Sequence, residues 1–168
     1  MCIACILRIE MEESNEQLDQ PPPTNVTVSG DVDVDYKWLE ERAVAALYYL
    51  QKDKSEVSVR VVDDTEMSKL HRQHSGVEGT TYVLTFANGG DENTFHADIA
   101  VCIGVAEREA KERGHSVQNE LLLYIVHGIL HCCGFDDHDK ESHALMHAEE
   151  DKILSAIGVG CVWSDKPC

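Results

Sequence analysis

The sequence predicts an α/β fold of the α+β kind: one domain, a small mixed sheet of about four strands, about five helices, and a metal site at the end of the long central helix. Three observations carry this prediction. Short stretches that alternate apolar and polar residues, such as SEVSVRVVD, are interleaved with stretches of helical periodicity. Capping residues and glycines fall at the joints between them. One long apolar segment, SVQNELLLYIVHGILHCC, places His127 and His131 a helical turn apart and runs straight into the acid-rich GFDDHD.

The elements follow in order. VTVSG, from Val26, alternates as a strand, and Asp35 is placed to cap a helix from Tyr36 to Leu50. SEVSVRVVD is a second strand, with Val57, Val59 and Val61 on one face and Ser58, Arg60 and Val62 on the other. Asp63 or Asp64 caps the short helix TEMSKLHRQH, which Gly76 ends. TTYVLTFA is β-branched and aromatic, hence a strand, and NGGDENT after it reads as a turn. FHADIAVCIG is the next strand, and VAEREAKERG a helix closed by Gly114. Ser116 opens the long apolar helix, and DKESHALMHAEEDKILSAIG beyond Gly134 is a final amphipathic helix.

Around this body, residues 1–24 are expected as a flexible extension, because MEESNEQLDQPPP is acidic, polar and ends in prolines. Met11 is an alternative start. Residues 25–160 form the expected functional domain and 161–168 a tail. The formal net charge of −17, from 31 acids against 14 Lys and Arg, argues against a generic nucleic-acid binder, which carries a basic surface. Any phosphate must be held by a local or metal-centred patch. Seven cysteines, an odd number, do not suggest a disulfide framework, and MCIACIL lacks the basic flank of a secretory signal. Cys2 and Cys5 have no second ligand pair at zinc-finger spacing. A reducing, cytoplasmic setting is expected.

The chemistry concentrates in HGILHCCGFDDHD. His127 and His131 share one helix face and can aim at one cation, and Gly134 permits the turn that returns a third ligand. Asp137 and His138 are the candidates for it. Two histidines on so apolar a helix must be hydrogen-bonded or metallated, since an unpaired buried polar group is costly. Gly128 occupies the position at which zincin proteases carry their glutamate base, which disfavours a peptidase. A second pair, His143 and His147, sits among Lys140, Glu141, Glu149 and Glu150 and reads as a solvated face.

These residues resemble the YbeY-type endoribonucleases, whose hallmark H-G-x-L-H-x-x-G-Y-D-H is matched here by H-G-I-L-H-C-C-G-F-D-D. Upstream, S-V-R-V-V-D-D at 58–64, T-T-Y-V-L-T-F at 80–86 and A-D-I at 97–99 follow in the same order, so the resemblance spans Val26 to Gly158. It implies a single-domain α/β fold and one Zn²⁺ per chain, with other divalent metals as alternatives. It further implies a metal-dependent, single-strand-specific RNase in ribosomal RNA maturation and ribosome quality control. The family's ligands carry over to His127 and His131, and its functional arginine to Arg60, expected to face the site and to neutralise charge on the phosphodiester. The family's third histidine corresponds to Asp137, with His138 one residue late; Asp137 is preferred, because the following helix then needs no insertion. A carboxylate there predicts a less positive site with a broader metal preference. Thr81, Tyr82, Thr85 and Ala97 also depart from the family pattern. The competing readings are a non-catalytic ribosome-associated protein with a structural metal and a metallopeptidase. RNA delivery by a protein partner is expected from the net charge.

Overall fold

The computed structural model describes residues 24–91 and 93–163. The expectations for the N-terminal extension (Thr24 aside), for Cys2 and Cys5, and for most of the tail therefore lie outside the described residues. Four strands and five helices follow one another as β1 (Asn25–Ser29), α1 (Tyr36–Tyr49), β2 (Glu56–Val62), α2 (Asp64–Ser75), β3 (Val83–Gly90), β4 (Phe95–Cys102), α3 (Ile103–Arg113), α4 (Val117–Cys132) and α5 (Lys140–Ala156). The sheet order is β1-β2-β4-β3, with β1, β2 and β4 parallel and β3 antiparallel at the edge.

The side-chain period of two divides the sheet. Val28, Val59, Ile99 and Thr85 stand in register on one face, against which α1 and α4 pack. Ser29, Arg60, Ala100 and Leu84 stand in register on the other, where Val62, Met67, Ala100 and Cys102 make a smaller apolar cluster under α2. α4 is buried on every side from Glu120 to Leu130. A helix apolar all round belongs in a core, and α4 is that core, wedged between the sheet, α1, α3 and α5.

Local chemistry sets most boundaries. The Asp35, Asp63, Ser116 and Asp139 side chains accept from the first free backbone N–H groups of α1, α2, α4 and α5. Gly76 and Gly114 end α2 and α3 in the left-handed conformation. The NGG segment departs from expectation. Instead of opening a turn it extends β3 to Gly90, through a register shift between Ala87 and Gly90. Gly89 and Gly90 have φ of 109° and 147°, and a Cβ on Gly90 would lie 2.2 Å from the Thr94 carbonyl oxygen, so only glycine fits the bulge. Among the described residues, no helix is long and apolar enough to cross a membrane.

Candidate metal centre

α4 ends in a Schellman motif that also builds the site. Gly134, with φ 89°, donates its N–H to the His131 carbonyl at 3.0 Å, and Phe135 donates to the Leu130 carbonyl at 3.1 Å. The Phe135 carbonyl, turned back by this cap, accepts from His131 Nδ1 at 3.1 Å. Just beyond, the Asp136 side chain accepts the backbone N–H groups of Asp137 and His138, a local turn that swings the Asp137 carboxylate back towards α4.

Both rings are fixed from behind. His127 Nδ1 lies 2.7 Å from a carboxylate oxygen of Glu150, on α5. A carboxylate and a carbonyl only accept, so both Nδ1 atoms donate and both Nε2 atoms present lone pairs. The two Nε2 atoms are 3.0 Å apart. Asp137 closes the third side, with its carboxylate oxygens 3.6 Å from His127 Nε2 and 3.9 Å from His131 Nε2. The Tyr82 hydroxyl reaches His127 Nε2 at 3.1 Å and Asp137 at 3.5 Å. Burial and the nearby Asp137 and Glu150 carboxylates push the Tyr82 hydroxyl up to about 12, so at neutral pH it is a donor.

Facing lone pairs repel, and an acidic oxygen beside them favours a cation. Two nitrogens bound to one zinc at about 2.0–2.1 Å stand about 2.9–3.4 Å apart between right-angled and tetrahedral geometry. The donor set therefore fits a divalent cation.

The structure brings His127, His131 and Asp137 within ligand distance of one another. His138 is not part of that group: its side chain is 83% exposed and its ring is paired to Asp136. Asp136 and His138 make a second, more exposed cluster with the same Asp137. Arg60 also stands elsewhere. It does not face the histidines as expected, because strand alternation puts it on the sheet face opposite α4, where it pairs with Glu66 at 2.8 Å. Tyr82 and Glu150 were not among the predicted site residues. Tyr82 had a signal, as a departure inside the strand block; Glu150 had none beyond its place on an amphipathic helix.

Gly128 has a packing role. A Cβ there would lie 2.7 Å from Thr85 Oγ1 and 3.0 Å from Ile99 Cδ1, so the helix face between the histidines lies directly on β3 and β4. No glutamate fits. An open groove of about 670 Å³ leads to the centre, walled by His71, Thr81, Leu84, His127, His131 and Asp137. A neighbouring concavity holds Arg60, Leu70, Phe86 and Asp98. The two adjoin along β3 and α2, where Leu84 and His71 line one and Phe86 and Leu70 the other.

An α/β domain that sets two imidazoles and a carboxylate on a helix end, at the floor of an open groove, has the architecture of a metallohydrolase. The sequence model of the family described as Endoribonuclease YbeY matches residues 11–158, and the chain belongs to that family. An Endoribonuclease YbeY of Pelotomaculum thermopropionicum is 36% identical over 114 residues, covering 64% of this chain and 75% of that protein. One from Chloroflexus aggregans is 34% identical over 145 residues, covering 80% of this chain and 95% of the relative. The solution structure of TM1509 from Thermotoga maritima shares the fold, with a TM-score of 0.56 at 24% identity, over 78% of this chain and 90% of that one.

Proposed function

We propose that residues 25–160 form a metal-dependent endoribonuclease that cleaves single-stranded RNA in the cytoplasm, in ribosomal RNA processing and ribosome maturation. The observation that carries this reading is the pair of Nε2 lone pairs 3.0 Å apart, each ring fixed by an acceptor on its Nδ1, at the floor of an open groove. His127, His131 and Asp137 would hold the cation, with Zn²⁺ the favoured ion and Mn²⁺ or Mg²⁺ admitted by the carboxylate. A divalent cation held there lowers the pKa of water and draws electron density from a phosphoryl oxygen.

The remaining work falls to the protein. Glu150 and the Phe135 carbonyl keep the imidazoles aligned, so no reorganisation is needed when substrate arrives. Tyr82 donates a hydrogen bond to an anionic oxygen in the groove. Arg60, in the adjoining concavity, binds a neighbouring phosphate of the same strand rather than the scissile one. The Arg60–Glu66 pair is exposed and exchanges readily for a phosphate. At a net charge of −17 the protein is a weak binder of free RNA, and a ribosome-associated protein partner would deliver the substrate.

The test is cleavage of single-stranded RNA by the purified protein, with and without chelator, beside His131→Ala. Metal-dependent cleavage abolished in the variant is the expected result. Cleavage indifferent to both, or bound metal with no cleavage even on ribosomal particles, would reject the enzyme in favour of a structural metal.

A further inference from the structure

α5 carries the second histidine pair, and the structure keeps His143 on the solvated face expected of both but turns His147 inward. His147 is largely buried. Its ring stacks on Trp163 with centroids 3.8 Å apart, and its Nδ1 lies 2.7 Å from Glu150 Oε2. The same oxygen accepts the indole N–H of Trp163 at 2.5 Å, while the other accepts from His127 Nδ1 at 2.7 Å. Glu150 is wholly buried, and three N–H donors from three parts of the chain converge on it.

The tautomer of His147 follows. An indole nitrogen only donates, so Glu150 Oε2 is an acceptor; His147 Nδ1 then donates to it, and His147 Nε2 carries a lone pair. That lone pair points at His143 Nε2, 3.0 Å away, with the rings at 80°. His143 is exposed, and either of its tautomers is open to it at little cost. The spacing repeats that of His127 and His131, and lies within the about 2.9–3.4 Å that two imidazoles on one zinc require.

We propose that His143 and His147 form a second divalent-cation site, for the borderline metals Zn²⁺, Ni²⁺ and Cu²⁺, which shares its anchoring carboxylate, Glu150, with the first centre. The carboxylate–imidazole arrangement at His147 is the one that holds metal-ligating histidines elsewhere. The pair borders a cavity of about 230 Å³ that also contains Arg113 and Glu109, leaving the remaining coordination positions to water or a small anion. Arg113 does not oppose a cation there as a bare charge: it pairs with Glu109 at 2.9 Å and with Glu120 at 3.1 Å. Two imidazoles bind more weakly than two imidazoles and a carboxylate, so this site fills second, with Cu²⁺ and Ni²⁺ preferred over the harder, oxygen-seeking Mn²⁺. Nothing in the proposal requires the protein to cut RNA.

The experiment uses the full chain and its own tryptophans. Trp163 is one of two, and it lies against the His147 ring. In His131→Ala protein, where the first centre has lost a ligand, Ni²⁺ should quench tryptophan emission saturably, and adding His143→Ala should abolish that component. Equilibrium dialysis with Zn²⁺ should show one equivalent fewer bound in His143→Ala than in the unaltered chain. His143 is exposed, so its loss leaves the fold intact, which circular dichroism verifies. Equal stoichiometry and equal quenching with and without His143 would overturn the site and leave a simple imidazole–imidazole hydrogen bond. That result is independent of the RNA assay with His131→Ala, so the two readings fail separately.

Discussion

Glu150 on α5 holds the ring of His127 on α4: the carboxylate oxygen and Nδ1 are 2.7 Å apart, and both residues are buried. The position of the first imidazole is thus decided by a helix that supplies no ligand to the centre. Glu150→Gln keeps the shape but turns one acceptor into a donor, so at least one of its three N–H partners loses its bond. Metal affinity is expected to fall about 10- to 100-fold, read by competition with a chelating dye. Unchanged affinity would show that the ring is held by packing alone.

The choice of third ligand is open to a direct comparison. Asp137→Ala is expected to lose most bound zinc, while His138→Ala, which removes a side chain that is 83% exposed, should retain it. Elemental analysis of the two proteins after dialysis decides it. Full occupancy in Asp137→Ala would refute the assignment.

Gly128 is fixed by contact with the sheet. Gly128→Ala puts a methyl 2.7 Å from Thr85 Oγ1 and 3.0 Å from Ile99 Cδ1. Overpacking of this kind costs about 1–3 kcal/mol, so the urea midpoint should drop accordingly. The better helix propensity of alanine, worth about 1 kcal/mol, offsets part of this and leaves a net loss of up to about 2 kcal/mol.

Arg60 is expected to act on binding more than on chemistry. Arg60→Ala should raise KM for single-stranded RNA with a smaller effect on kcat, and reduce the salt dependence of binding by about one phosphate contact. Glu66→Gln, which frees the guanidinium from its 2.8 Å ion pair, should move KM the opposite way. A pure kcat loss in Arg60→Ala would return the residue to the scissile phosphate.

Burial pushes the Cys132 thiol up to about 11, from 9.0. A thiol whose folded value is raised stabilises the fold fully below pH 9, and that contribution disappears as pH climbs towards 11. The unfolding midpoint should therefore fall between pH 9 and 11, and fall less in Cys132→Ser. At pH 8 the peptide bearing Cys132 should be alkylated far more slowly in native than in unfolded protein.

Much of this protein can be read from local rules. The alternation of Val57, Val59 and Val61, the capping aspartates and serine, and the glycines after α2 and α3 place the elements, because each depends only on neighbours in the chain. The histidine pair is of the same kind, since a helix puts His127 and His131 on one face whatever surrounds it. Even the face of Arg60 was implicit: a residue between buried valines points away from the helix that covers them.

Other features had no local cause. The NGG segment became strand because Gly90 lies against Thr94 and pairs with Phe95 across the bulge. Asp137 rather than His138 turned inward because the Asp136 side chain gathers two backbone N–H groups, and sequence spacing does not report which way such a turn throws the next residue. Tyr82 and Glu150 reach His127 from β3 and α5, across the packing of one element on another. Local periodicity fixes which face of a helix or strand is apolar. Only the assembled core fixes the rotation and height at which those faces meet, and hence which polar atoms come within hydrogen-bonding distance of the site.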